Sequence, residues 1–71
     1  MGAQGNSPLM ILRRKQVEDR TGLSRSTIYL RIAEGVFPKP VNLGGRAVGW
    51  LDHEIEDWLS NKVKDSRPEQ V

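Results

Sequence analysis

Apolar residues recur at helical spacing over most of this chain, and one stretch of extended character interrupts them. Ile28 and Ile32 lie four apart, and Ile55, Trp58, Leu59 and Val63 fall at i, i+3, i+4 and i+8, so each set forms one face of a helix. A first helix is expected over Arg14 to Thr21, closed by Gly22, a residue suited to the left-handed position after a helix. Val17 is its only large aliphatic residue, so it must rely on packing against later elements. Ser24 is a good N-cap, because its hydroxyl can accept from an orphan N–H two or three residues on. The second helix then runs from Ser24 to about Glu34 and stops at Gly35. Pro38 and Pro40 flank Lys39 and keep the backbone extended. Val41 to Leu43 reads as a strand, Gly44-Gly45 as a tight turn and Ala47 to Leu51 as a returning strand, with Arg46 at the hairpin tip. Asp52 is expected to cap a third helix, with Glu54 and Glu56 in its first turn, where the helix dipole favours negative charge. Met10 to Leu12 is either a brief strand or the entry of the chain into the core.

These elements place a domain at residues 10–64, a disordered leader at 1–9 and a flexible polar tail at 65–71. The predicted core gathers Ile28, Ile32, Trp50 and the stripe of the third helix. Leu23 is tucked between the first two helices. Trp50 and Trp58 belong to this core and not to a base-stacking surface, because each lies on an apolar face defined by its neighbours. The fold class is mainly α with a small β-hairpin.

Composition narrows the range of functions. With 37% apolar and 28% charged residues in 71, the chain can fold, although a domain this small buries a modest core. It has no cysteine, which removes disulfides and thiolate metal sites and suits a reducing cytosol. No apolar run approaches the roughly 20 residues that span a bilayer, so a cytoplasmic protein with no membrane partner is expected. Catalysis finds little support. His53 is the only histidine, Glu54, Glu56 and Asp57 point outward from a charged helix, and no phosphate-binding G-x-x-x-x-G-K loop is present. Neither an enzyme nor a cofactor is expected.

The charge is uneven although the net value is only +2. Met10 to Leu51 holds eight Lys or Arg against three acids, whereas Asp52 to Val71 holds three against six. A basic body beside an acidic helix fits one surface that meets polyphosphate and another that does not. The two helices joined by Thr21-Gly22-Leu23-Ser24 make a helix-turn-helix, whose second helix enters the major groove in such motifs. Arg25, Ser26 and Thr27 occupy its first turn, where long donors reach base edges. Arg25 can fork onto guanine O6 and N7, a contact worth about 1–3 kcal/mol of discrimination. Ser26 and Thr27 can bond phosphate or bases, or serve as extra capping groups. Tyr29 offers either a phosphate contact through its hydroxyl or a half-buried core aromatic. Lys39, Arg13, Arg14 and Lys15 can each touch phosphate, and Arg46 can enter the adjacent minor groove.

The order short strand, helix, turn, helix, hairpin, helix is that of a winged helix-turn-helix domain. The run Thr21-Gly22-Leu23-Ser24-Arg25-Ser26-Thr27-Ile28-Tyr29, then Glu34-Gly35, Phe37-Pro38-Lys39-Pro40-Val41 and Arg46-Ala47-Val48-Gly49-Trp50, resembles the AlpA family of prophage regulators. That family is similar in turn to phage excisionases and to the DNA-binding half of MerR-type regulators. The resemblance covers Leu12 to about Val63. It implies an MerR/excisionase-like fold, double-stranded DNA as partner, and either prophage-linked transcription control or an excisionase-like role in recombination, with RNA polymerase or a recombinase as a further partner. The family often carries a polar residue directly after the Ile-Tyr pair, then an apolar one. Here Leu30 precedes Arg31, which leaves open which way Arg31 faces. A domain this small makes few contacts, so specificity is expected to draw on repeated sites, a homodimer or cooperative assembly on DNA. The rival class is a phage-encoded protein-interaction module, which would show a shallow salt response in place of a steep one.

Overall fold

The computed structural model describes residues 9–67, so residues 1–8 of the expected leader and 68–71 of the expected tail lie outside the described residues. The chain runs β1 (Ile11–Leu12), α1 (Arg14–Thr21), α2 (Arg25–Ala33), β2 (Val41–Gly44), β3 (Ala47–Leu51) and α3 (Asp52–Ser66). This is the mainly helical, winged-helix-like arrangement that the residue pattern predicts. The short apolar run before α1 is a strand: it pairs antiparallel with β3, Ile11 opposite Leu51 and Leu12 opposite Trp50, giving a three-stranded sheet in the order β1-β3-β2.

The turn between α1 and α2 is built by local bonds. Gly22 adopts φ 74°, and its N–H donates to the Glu18 carbonyl at 2.8 Å, which closes α1. Thr21 Oγ1 donates back to the Val17 carbonyl at 2.7 Å and accepts from the Leu23 N–H at 3.2 Å, so the turn leaves little backbone unsatisfied. Leu23 packs, half-buried, against the core as expected. Val17, Ile28, Trp50 and Ile55 are fully buried, with Leu12 and Phe37 nearly so. Ile32, Trp58 and Leu59 pack around them.

Gly49 sits at the centre of this sheet because nothing larger fits. A Cβ there would lie 2.3 Å from Ile11 Cγ2 and 3.1 Å from the Leu12 carbonyl oxygen, so the approach of β1 to β3 depends on its absence. Both indoles fasten the connection that leads from α2 to the hairpin. Trp50 Nε1 donates to the Pro38 carbonyl at 2.9 Å, and Trp58 Nε1 donates to the Val36 carbonyl at 2.7 Å. The Phe37 ring meets Trp58 edge-on, with centroids 4.7 Å apart.

Four expectations are corrected. Leu51, not Asp52, is the N-cap of α3. Pairing of β3 with β1 persists to Leu51, and the Asp52 N–H donates to the Met10 carbonyl at 2.8 Å, so Asp52 is already the first helical residue. The hairpin turn is Gly45-Arg46, one residue later than expected, because β2 extends to Gly44 past an irregularity where the Gly44 N–H donates to Asn42 Oδ1 at 2.6 Å. α3 continues through Asp65 and Ser66, into the segment expected to be tail. Val63 is 50% exposed and not core, since α3 outruns the sheet and every residue from Ser60 to Arg67 is exposed.

Candidate nucleic-acid interface

At the start of α2 the sequence supplies a cap and leaves the rest of the turn outward. Ser24 is extended (φ −76°, ψ 164°), and its Oγ accepts from the Thr27 N–H at 3.3 Å. The same hydroxyl reaches Thr27 Oγ1 at 3.0 Å and lies 3.3 Å from Ser26 Oγ, so three hydroxyls form a chain at the helix N-terminus. Thr27 is thus committed in part to capping. Arg25 is exposed and, among the described residues, makes no hydrogen bond or ion pair, so its guanidinium is free to meet a ligand.

Further along α2 the roles divide by face. Tyr29 is 39% exposed and lies edge-on to Trp50, with centroids 6.3 Å apart, so its ring borders the core while part of it stays at the surface. Arg31 is half-buried, and its guanidinium lies 3.5 Å from the Glu34 carboxylate, so it leans toward the C-cap of its own helix. Leu30 is 55% exposed. The inverted Leu30-Arg31 order therefore puts an apolar side chain on the surface of α2, a candidate that sequence reasoning passed over. The departure from the family pattern was its signal.

The structure brings the beginning of α1 and the hairpin tip together. Arg13, Arg14, Lys15 and Arg46 line one cleft with Val48. Arg13 Nε donates to the Val48 carbonyl at 2.9 Å, tying the chain before α1 to the returning strand, while its N–H donates to Gln16 Oε1 at 2.8 Å. Arg14 is paired with Glu18 one turn on. Lys39 is not part of this group. It lines a separate groove between the 35–41 connection and α3, together with Glu54, Asp57 and Trp58.

Among the described residues, no group of three or more His, Cys, Asp or Glu side chains is placed to hold a metal, and no helix is long and apolar enough to cross a membrane. A helix-turn-helix backed by a hairpin and a third helix, with polar and cationic side chains at the start of the second helix and at the hairpin tip, defines a small winged-helix-like domain. The chain belongs to the AlpA family: the model of that family, described as "Prophage CP4-57 regulatory protein (AlpA)", matches residues 10–63. It is similar to "DNA-binding transcriptional activator AlpA" of Escherichia coli (strain K12), 39% identical over 64 residues that cover 82% of this chain and 91% of that protein. It is also similar to "Uncharacterized protein ORF88" of Enterobacteria phage P4, 46% identical over 52 residues, 73% of this chain. The aligned region spans 59% of that phage protein's length.

Proposed function

We propose that this chain is a sequence-specific DNA-binding regulator of prophage-linked transcription, with α2 in the major groove and the Gly44 to Arg46 wing on the adjacent minor groove or backbone. The observation that carries this reading is the start of α2. A properly capped helix N-terminus presents an arginine with no protein partner among the described residues, beside hydroxyls able to bond bases or phosphate. The name of the Escherichia coli relative supports DNA as the partner and transcription as the process. Arg25 forks onto guanine, Ser26 contributes through its hydroxyl and backbone N–H, Thr27 through its hydroxyl, and Tyr29 meets phosphate through its hydroxyl. Leu30 adds an apolar contact of the kind that reads a thymine methyl. Arg31 and Arg14, each engaged by a glutamate of its own helix, contribute less than Arg25, and Lys39 supplies at most a peripheral phosphate contact. Such a role places the protein in the cytoplasm of the host cell.

The test is a fluorescence-anisotropy titration of the wild type and Arg25→Ala against duplex fragments from around the protein's own gene, at several salt concentrations. Tight, salt-sensitive binding to a subset of fragments is expected. Arg25→Ala should lose about 1–3 kcal/mol on that subset and little elsewhere. Equal binding to every fragment by both proteins would sink base readout from α2.

A further inference from the structure

Two helices of this domain begin with opposite charge. α3 starts with Asp52 and Glu54, as the positive end of a helix dipole asks. α1 starts with Arg14 and Lys15 and has no acid in its first turn, so its cations face the dipole's repulsion. A local arrangement that opposes helix energetics is expected where function demands it. The repulsion is relieved for Arg14 by Glu18. Lys15 has no hydrogen bond or ion pair with another described residue, and neither has Arg46, which reaches the same cleft from the hairpin turn. Between them, Arg13 spends its Nε on the Val48 carbonyl and so holds the wing strand beside the start of α1.

From this geometry we infer that Lys15 and Arg46 form a clamp on a single backbone phosphate, with Arg13 as the positioning residue that fixes the spacing of its two jaws. The inference rests on the DNA-binding reading and sharpens it: Arg46 is committed to the phosphate backbone and not to the floor of the minor groove. Two uncompensated cations lining one cleft, the dipole of α1 and the charge of Arg13 all raise the positive potential in the same small volume. An anionic oxygen placed there relieves each of them. A duplex presents that group at fixed intervals, and the contact carries no sequence information.

Because the contact is sequence-independent, mixed-sequence sheared duplex DNA is a sufficient probe. Binding of the wild type, Lys15→Ala, Arg46→Ala and the double variant is measured across a salt series, with thermal unfolding of each as a control for folding. Arg25→Ala is run in parallel on the gene-derived fragments. One shared phosphate predicts that the double variant lowers the slope of log K against log salt by about one, because a single neutralised phosphate accounts for about 0.9 of slope. Each single variant should lower it by less, since the other cation still faces the same phosphate. A fall of about two in the double variant would mean two separate phosphates and would overturn the clamp, as would an unchanged slope. If the wild type shows no salt-dependent binding to any DNA, the clamp and the DNA-binding reading fall together. Normal sequence preference, lost in Arg25→Ala, alongside an unchanged slope in the double variant would remove the clamp alone.

Discussion

The side of the domain where α3 closes the core and the side that carries the start of α2 and the wing treat their polar groups in opposite ways. On the closing side several long polar side chains are engaged within the protein. Arg20 meets the Asp52 carboxylate at 2.5 Å, Lys62 Nζ lies 5.4 Å from the Trp58 ring centroid, and both indole N–H groups are spent on backbone carbonyls. On the other side Lys15, Arg25 and Arg46 have no such partner among the described residues. A cation already paired must give up its partner before it meets phosphate, whereas an unpaired one exchanges only water. The difference assigns stability to one side and binding to the other. It also gives each side its own readout: substitutions on the closing side should move unfolding and leave the salt slope of DNA binding alone.

The largest effect should come from Trp50→Ala. The side chain is fully buried at the middle of the sheet, and truncating a buried tryptophan costs about 3–5 kcal/mol. A domain of this size has little more than that in reserve, so circular dichroism should show a largely unfolded chain, with DNA binding lost as a consequence. A folded Trp50→Ala protein with lost binding would instead put Trp50 in the interface, by way of Tyr29, and break the division. Trp58→Phe is a finer cut. It keeps a ring against Phe37 but removes the donor to the Val36 carbonyl and part of the ring surface that faces Lys62, so urea unfolding should register a loss of at least about 0.5–1.5 kcal/mol. The salt slope should stay at its wild-type value. A change in slope would show that the 36–40 connection helps to set the position of the wing.

What the sequence revealed and what it hid follow the range of the interactions concerned. Gly22 and Ser24 were legible because the bonds they serve, to Glu18 and Thr27, span four residues or fewer. The face of Ile28 and Ile32 was legible for the same reason, as was the hairpin, though its turn falls one residue later at Gly45-Arg46. Asp52 was misassigned as a cap because the group that takes its N–H is the Met10 carbonyl, far back in the chain. Phe37 was missed from the core because it lies in no periodic segment, and two indoles from later elements hold the carbonyls of its neighbours Val36 and Pro38. The steric need for Gly49 depends on Ile11, which only strand pairing brings near. The candidate site divides the same way. Arg25 could be read from its position after the cap, whereas the meeting of Lys15 with Arg46 depends on Arg13 reaching Val48, 35 positions away.

The smallest expected effect is also the one most able to sharpen the comparison. Arg20 is a cation in the last turn of α1, bound to Asp52 at the first turn of α3, and both side chains are partly exposed. Arg20→Met keeps the apolar stem and deletes the charge, so the loss should be that of an exposed ion pair, about 0.2–1 kcal/mol. Raising the ionic strength should shrink it further. A double-mutant cycle with Asp52→Asn isolates the pair from the interaction of Asp52 with its own helix dipole. The variant has lost one positive charge, as Arg25→Ala has, so total charge predicts the same fall in DNA affinity for both. Partnering predicts otherwise: Arg20→Met should bind nearly as the wild type does, because its charge was already neutralised by Asp52. Matching losses in the two variants would show that net charge, and not the presence or absence of a protein partner, decides which cations of this domain serve DNA.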